Sequence, residues 1–291
     1  MNSAASGEPS DVIPIPALSL DRVGMQFSTP DGAMVVLENI SMNVMPGEFL
    51  SVIGPSGCGK STLFNVIGGL VDEYSGHVLI DGQSVLDNRR SVGMVFQQES
   101  TFPWRTTLQN VMFPLEMSGV PRKERLERAQ HFVKLVGLSG FEHHYPSELS
   151  GGMRQRTALA RTLITEPKIL LMDEPFAALD EQTRLLLGDK IIQIQQQISQ
   201  TSLLITHNIT EAVQLSDRVA IMTHRPGKIR RIVPISLPRP RTSDIVGSEA
   251  FSRLVGVVWN DLREEANIGM HESEVIILHR DREPISQLNR T

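Results

Sequence analysis

The chain contains 291 residues, a length that predicts about two domains, and its formal net charge at pH 7 is −5. Apolar residues make up 40% of the sequence and charged residues 21%, so the composition is globular and excludes a disordered chain. The mildly acidic balance gives no electrostatic case for nucleic acid as the main partner. The single cysteine, Cys58, excludes an internal disulfide. Every apolar run is far shorter than the ~20 residues of a membrane span, so we expect a soluble protein.

The order of predicted elements indicates an α/β core. A small, polar tail is predicted over residues 1–17, and short strands with one helix dominate residues 18–96. Residues from about 97 to 150 are predicted to be a helical insert, because apolar positions recur there at helical spacing with charges between them. Strands and helices then alternate through residue 235, which indicates a largely parallel sheet.

The last segment, residues 236–291, follows a proline-containing linker and is predicted to be an extension with one amphipathic helix near 248–266. The apolar face of that helix is predicted to contain Phe251, Leu254, Val255, Val258, Trp259 and Leu262. Packing on the core, regulation and stabilisation of a dimer all stay open for this helix. Between residues 225 and 241 six basic residues occur with no acid, which fits either contact with anionic lipid headgroups or a solvated hairpin edge.

A phosphate-binding loop is predicted at residues 54–62, where GPSGCGKST matches G-x-x-x-x-G-K-[ST] between a predicted strand and a predicted helix. Glycines let the backbone curl so that N–H groups face phosphate oxygens, and the positive end of the helix adds to this attraction. Lys60 is expected to contact the β- and γ-phosphates and Ser61 to offer its hydroxyl to Mg²⁺. The predicted nucleotide-binding residues of this loop are Gly54, Pro55, Ser56, Gly57, Cys58, Gly59, Lys60, Ser61 and Thr62.

Cys58 has two interpretations inside this loop. Surrounding amides favour a thiolate and hence modification, whereas the alternative is a small side chain that fills space without a chemical role.

Two adjacent acids follow the apolar run of ILLMDEP, residues 169–175. A buried strand that ends at Asp173 delivers both carboxylates to the sheet edge where the phosphate loop also lies. Asp173 is the predicted carboxylate for Mg²⁺, and Glu174 is placed to orient or deprotonate an attacking water. Two acids alone are usually a solvated turn, but the apolar run and the upstream loop favour catalysis.

The sequence LSGGMRQR, residues 149–156, resembles the signature sequence of ABC-type ATPases. Ser150 is able to cap a helix whose first N–H groups, at Gly151 and Gly152, form a second anion site. The resemblance implies a P-loop NTPase core with an antiparallel β subdomain and an α-helical insert. It also implies a head-to-tail homodimer, in which each ATP lies between the phosphate loop of one subunit and the signature of the other. Met153 stands where glutamine is commonest in the family, which puts only details of that contact in doubt.

Further motifs of this family occur in order along the chain. Gln97 resembles the loop glutamine that senses Mg²⁺ or water, and His207 resembles the switch histidine that contacts the γ-phosphate. Asp180, in the tripeptide ALD, resembles the residue that meets the partner subunit. Phe27 aligns with the aromatic residue that stacks on adenine. Structural roles are the alternatives for Phe27 and His207. The resemblance spans about residues 18–232.

Three stretches, VFQQESTFPWRTTLQNV, MDEPFAALDEQTR and THRPGKI, resemble the ATP-binding subunits of bacterial nitrate, sulfonate and taurine importers. That resemblance implies an ATPase on the cytoplasmic face of the inner membrane, which drives a separate integral-membrane permease supplied by a periplasmic solute-binding protein. Phe102 and Trp104 follow the glutamine loop, where the family contacts its permease. An exposed tryptophan would suit that contact, whereas the alternative has Trp104 covering the helical insert.

Two other functions are weighed against this one. A soluble ABC ATPase that acts on ribosomes or DNA commonly carries two cassettes or a long coiled-coil insert, and this chain has one cassette and a short insert. A P-loop kinase or GTPase has no use for the Ser150 signature, and the sequence lacks the N/T-K-x-D motif that reads guanine.

Overall fold

The structure, a computed structural model, describes residues 15–30, 32–97, 100–177, 179–239 and 241–280, with side chains described through residue 268. Most of the predicted N-terminal tail lies outside the described residues, as do Ala178 of the ALD tripeptide and Pro240 of the predicted linker. Within the described residues, no helix combines the length and the apolar character that a membrane span requires.

The strands of the described residues form two sheets. In chain order they are β1 (Leu18–Thr29), β2 (Gly32–Val44), β3 (Phe49–Ile53), β4 (Ser75–Ile80), β5 (Gln83–Ser84), β6 (Val92–Val95), β7 (Ile169–Asp173), β8 (Thr201–Ile205), β9 (Arg218–Met222) and β10 (Ile229–Pro234). The first sheet is antiparallel, with the order β2-β1-β4-β5. The second has the order β10-β9-β3-β8-β7-β6 and is parallel except for β10, which pairs antiparallel with β9. The predicted α/β core and antiparallel β subdomain are confirmed.

Helices surround the parallel sheet. In chain order they are α1 (Lys60–Ile67), α2 (Thr107–Met117), α3 (Arg122–Leu135), α4 (Gly151–Leu163), α5 (Glu181–Ile198), α6 (Ile209–Leu215) and α7 (Glu249–Arg280). The segment between β6 and β7 contains α2, α3 and α4, which share one apolar cluster with residues of β7 and α5. The first half of α7 packs on a separate cluster that includes Phe251 and Val258.

The strand order explains how distant motifs come together. β3 and β8 are buried along their whole length and β7 along all but its last residue, as expected for parallel strands covered on both faces. Because β3, β8, β7 and β6 are parallel neighbours, their carboxyl ends lie at one edge of the sheet. The phosphate loop, His207, the two adjacent acids and Gln97 follow these four strands in that spatial order.

Two helices, α1 and α7, differ from the predictions. The helical spacing of apolar residues predicts Leu70 on the buried face of α1, but this helix ends at Ile67 with Gly68 as its cap, and Leu70 is 54% exposed. Trp259, predicted on the apolar face of the C-terminal helix, is instead 52% exposed, because α7 turns Phe251 and Val258 to the core. The helix also continues past residue 266 to Arg280.

Candidate nucleotide-binding and hydrolysis site

The phosphate loop connects the buried strand β3 to helix α1. Gly57 and Gly59 have φ angles of 76° and 105°, a region that favours glycine. A Cβ atom on Gly59 would lie 2.8 Å from the side chain of Leu37, so the loop also needs glycine there to pass close to β2. The buried Lys60 donates from Nζ to the carbonyl oxygens of Gly54 and Pro55, at 2.8 and 2.9 Å. The loop therefore curls around the lysine side chain.

A pocket of about 340 Å³ lies over this loop. Its lining combines the loop with residues of four other segments: Phe27, Met34, Val36, Ser56, Gly57, Gly59, Lys60, Ser61, Thr62, Glu174 and Arg225. Phe27 is 42% exposed, so it is a wall of the pocket and not a core residue. The structure thus brings the predicted adenine-stacking residue, the predicted phosphate loop and the predicted base to one cavity.

Glu174 is the meeting point of three sequence motifs. Its Oε1 lies 3.0 Å from Nδ1 of His207, and its Oε2 accepts a hydrogen bond of 3.2 Å from Nε2 of Gln97. The backbone of Glu174 has a φ of 44°, and its N–H donates to the carbonyl of Ile205 in the neighbouring strand. This tie holds the carboxylate at the sheet edge, where it faces the pocket with most of its side chain covered.

Asp173, the last residue of β7, has an altered acidity. Burial, followed by the negative charge of Glu174, raises its pKa to about 6, against the opposing effect of Lys60. A cation beside Asp173 would offset the cost of carrying this charge. Oxygen atoms are the ligands that Mg²⁺ prefers, usually from one or two carboxylates together with substrate phosphates and water. The hydroxyl of Ser61, the carboxylate of Asp173 and the amide oxygen of Gln97 fit that donor set.

Four residues to which the sequence assigned no role support the turn that carries His207. The buried Glu211 accepts a hydrogen bond of 2.6 Å from the Thr206 hydroxyl and forms an ion pair of 3.3 Å with Arg184. Burial raises the pKa of Glu211. Asn208 caps α6 by accepting from the N–H of Glu211. An Asn followed three residues later by Glu is a recognised helix start, so the sequence does contain this signal.

The signature residues lie elsewhere in the chain. Ser150 caps α4 by accepting from the N–H of Met153 at 3.3 Å. Asp180 caps α5 by accepting from the N–H and the hydroxyl of Thr183, and these bonds lower its pKa. None of Ser150, Gly151, Gly152 and Asp180 lines the 340 Å³ pocket of the described residues. One chain therefore does not bring the predicted second anion site to its own phosphate loop.

Trp104 is 71% exposed, so the structure does not use it to cover the helical insert. It lies on a tight turn that Asn110 holds through hydrogen bonds to the backbone of Phe102, Arg105 and Thr106. The ring of Phe102 lies 5.6 Å from that of Trp104 between ring centroids. The two aromatic side chains thus form a partly exposed patch on a turn that Asn110 fixes in place.

Cys58 is fully buried, and this burial raises the pKa of its thiol, although Lys60 acts in the opposite direction. The interpretation that the loop favours a thiolate is therefore wrong. Its Sγ lies where a Cβ atom on Gly54 would approach to 2.7 Å, which agrees with the interpretation that Cys58 fills space inside the loop.

Comparison with known proteins supports these motifs as a set. The family model described as "ABC transporter" matches residues 37–177. An uncharacterised ABC transporter ATP-binding protein of Methanocaldococcus jannaschii is 50% identical over 77% of this chain and 84% of its own length. A nitrate import ATP-binding protein of Synechocystis is 48% identical over 76% of this chain and 83% of its own length. An aliphatic sulfonates import ATP-binding protein of Bacillus cereus is 41% identical over 81% of this chain and 92% of its own length.

A solved structure gives the same result. The dimeric structure of a bacterial ABC transporter cassette is 33% identical, with a TM-score of 0.66, and covers 76% of this chain and all of that cassette. The predicted P-loop NTPase fold is thus confirmed, together with ATP as the nucleotide. The chain is an ATPase that belongs to the family of ABC transporter ATP-binding proteins.

Proposed function

We propose that this chain is the ATP-hydrolysing subunit of a bacterial importer for nitrate, a sulfonate, taurine or a similar small anion. The observation that carries hydrolysis is the convergence of Gln97 and His207 on the two carboxylate oxygens of Glu174 beside the phosphate-loop pocket. The solute class follows the nitrate and sulfonate importers among the relatives.

Each residue at the site then has a defined task. Lys60 and the N–H groups of the loop bind the β- and γ-phosphates, and Phe27 stacks on adenine. Ser61, Asp173 and Gln97 would hold Mg²⁺, which when bound neutralises charge on the phosphate oxygens. These assignments rest on the shared pocket and on the donor set at its base.

Glu174 acts as the general base in this proposal. One of its carboxylate oxygens accepts a proton from the attacking water as the water oxygen bonds to the γ-phosphorus, while the bond from that phosphorus to the β–γ bridging oxygen breaks and ADP leaves. His207 donates to Glu174 or to the γ-phosphate and so orients the two groups, while Gln97 holds the other carboxylate oxygen. The covered position of Glu174 favours proton transfer to this residue and not to bulk solvent.

A second copy completes the site. Because Ser150, Gly151 and Gly152 do not line the pocket of their own chain, we assign them to the ATP of the partner in a head-to-tail homodimer. The exposed Asp180 caps the helix that begins next to the signature residues, since its partner Thr183 packs against Gly152. A Cβ atom on Gly152 would lie 2.9 Å from the side chain of Thr183.

The aromatic patch of Phe102 and Trp104 is the proposed contact with a separate integral-membrane permease. This contact would hold the ATPase at the cytoplasmic face of the inner membrane, with a periplasmic solute-binding protein as an indirect partner and no nucleic acid. The division into a tail over 1–17, an ATP-binding domain over 18–235 with its insert at about 97–150, and an extension over 236–291 remains a prediction.

Two substitutions test the proposed hydrolysis. Lys60→Ala removes the buried cation of the loop and is expected to abolish ATP binding, measured with a fluorescent ATP analogue. The matched control is Lys168→Ala, which removes an exposed lysine that pairs with Asp81. Unchanged ATP affinity in Lys60→Ala would refute the phosphate-loop assignment.

Glu174→Gln keeps the shape of the side chain and removes its basicity. We expect this variant to bind Mg-ATP, to lose at least ~100-fold in turnover, and to accumulate as a dimer in light scattering. Hydrolysis at the wild-type rate would remove Glu174 as the base.

A further inference from the structure

The basic segment between residues 225 and 241 is neutralised by acids from other parts of the fold. Five of its six cations have carboxylate partners: Lys228 with Glu38, Arg230 with Glu264 and Glu265, Arg231 with Asp261, and Arg239 and Arg241 with Asp217. Arg225 differs, because no carboxylate of the described residues forms an ion pair with it. Its charge is therefore available to an anion from outside the chain.

Arg225 is directed at the phosphate loop. Its Nε and Nη2 atoms both donate to the carbonyl oxygen of Gly57, at 3.2 and 2.9 Å. Its Nη1 lies 3.2 Å from Sδ of Met34. Together with Phe27 and Lys60, the side chain lines the 340 Å³ pocket. An arginine that pairs with no carboxylate among the described residues thus lies in the cavity that is assigned to a polyphosphate.

The hairpin between β9 and β10 also contacts the loop through its backbone. A Cβ atom on Gly227 would lie 2.2 Å from the carbonyl oxygen of Cys58. The N–H of Gly227 donates to the carbonyl of Val36, and its own carbonyl accepts from Glu38. Because a trans peptide is planar, fixing the Gly57 carbonyl on one side directs the N–H of Cys58 to the other, where it donates to the carbonyl oxygen of Pro55 at 3.4 Å. The contact at Arg225 therefore orients an amide of the loop.

The C-terminal helix holds the hairpin from the opposite side. Glu265 of α7 is 5% exposed, accepts a hydrogen bond of 3.0 Å from the backbone N–H of His224, and pairs with Arg230. His224 directly precedes Arg225 in the chain. Two sets of hydrogen bonds therefore connect the helix to the phosphate loop: from His224 to Glu265, and from Arg225 to Gly57.

We propose that Arg225 is a positioning residue of the nucleotide site, which holds the phosphate loop in its binding shape and adds positive charge beside the phosphates of ATP, and that Glu265 keeps it in place. This inference rests on the proposed nucleotide site over the same loop.

The first experiment compares Arg225→Ala, Arg225→Lys and the control Arg231→Ala in the full chain, with steady-state ATPase measured against ATP at fixed Mg²⁺. Losing hydrogen bonds from a charged donor predicts a KM for ATP that is higher by about ten- to a hundredfold in Arg225→Ala. Turnover at saturating ATP stays close to wild type, because the residues around Glu174 are untouched. Arg225→Lys restores part of the loss, since lysine keeps the charge without the two-pronged donor. Arg231→Ala leaves KM unchanged.

An unchanged KM in Arg225→Ala, or an equal rise in Arg231→Ala, overturns the proposal. So does a loss of kcat at unaltered KM. Lys60→Ala separates the two proposals: if it keeps ATP affinity, the nucleotide site itself is misassigned, whereas loss of affinity there with none in Arg225→Ala refutes only the role of Arg225. Thermal unfolding of each variant confirms that it is folded, and Arg225→Gln carries the same test if the alanine variant does not fold.

The role of α7 has its own test. Glu265→Ala is expected to raise KM severalfold, and Glu265→Gln to restore it, because an amide oxygen also accepts from the N–H of His224. The control Glu264→Ala removes the other glutamate that pairs with Arg230. Equal KM values for Glu265→Ala and wild type, with a raised KM in Arg225→Ala, refute the part played by the helix.

Discussion

Replacing Asp173 by asparagine should stabilise the free protein at neutral pH. In the folded chain the pKa of Asp173 is about 6, against an ordinary value of 3.8. Below pH 3.8 both the folded and the unfolded states hold the proton, and there is no penalty. Above pH 6 both are ionised, and the folded state carries the whole cost. The raised pKa therefore corresponds to stability that is present in acid and lost as the pH rises.

The size of this effect follows from the same values. A tenfold change in the acid dissociation constant of Asp173 corresponds to about 1.4 kcal/mol. At pH 7.5 the raised pKa therefore lowers the free energy of unfolding by up to about 3 kcal/mol. Part of this cost is already present at pH 5. Allowing for the partial solvent contact of Asp173, the stability advantage of Asp173→Asn should grow by about 1 kcal/mol between pH 5 and pH 7.5.

Urea unfolding at both pH values, without Mg²⁺ or nucleotide, measures this growth. Asp72→Asn is the matched control, because Asp72 is an exposed residue whose partner is Arg89. An advantage of Asp173→Asn that is the same at pH 5 and pH 7.5, or a variant that is less stable than wild type at pH 7.5, would show that burial and Glu174 do not raise the pKa of Asp173.

Four further substitutions address the dimer, the permease and the backbone. Ser150→Ala should keep ATP binding and lose hydrolysis, and the wild-type rate per molecule should fall on dilution; a rate that is flat on dilution contradicts a shared site. Trp104→Ala should leave basal ATPase within about twofold but reduce co-purification with the permease, and undiminished co-purification counts against the aromatic contact. Gly256→Ala should raise the free energy of unfolding by about 0.5–1 kcal/mol, since its helix offers open space. Gly227→Ala should instead lower that free energy, because its Cβ meets the carbonyl of Cys58; equal denaturation midpoints for the two variants would refute this.

Local patterns predicted the parts of the site that depend on fixed spacing. The phosphate loop around Lys60 and the acids at Asp173 and Glu174 follow buried strands, so the strand pattern by itself places them at the sheet edge. Gln97 and His207 also lie just after strands, β6 and β8, but their likeness to family motifs is what assigned them their roles. The structure adds their direct contacts with Glu174.

The contact of Arg225 with the phosphate loop could not be predicted from local sequence patterns. Its contact with Gly57 joins residues 168 positions apart, and the segment around it looks like a run of surplus charge. Nothing in the local sequence tells which of its cations is paired with an acid elsewhere. Leu70 shows the opposite failure, where the helical pattern of the sequence continues past the two glycines at which α1 ends.

The place of β6 at the edge of the sheet has a consequence for how the proposed nucleotide site is connected to the outer helices. β8, which precedes His207, is flanked by β3 and β7, whereas β6 is the outermost strand and is bonded on one side only. Gln97 leaves from that rim and leads directly into the segment of α2 and α3. Of the two side chains that touch Glu174, Gln97 follows the strand with a neighbour on one side only and precedes the outer helices. We therefore expect a change at the γ-phosphate to reach those helices from the edge of the sheet, with β8 held between its two neighbours.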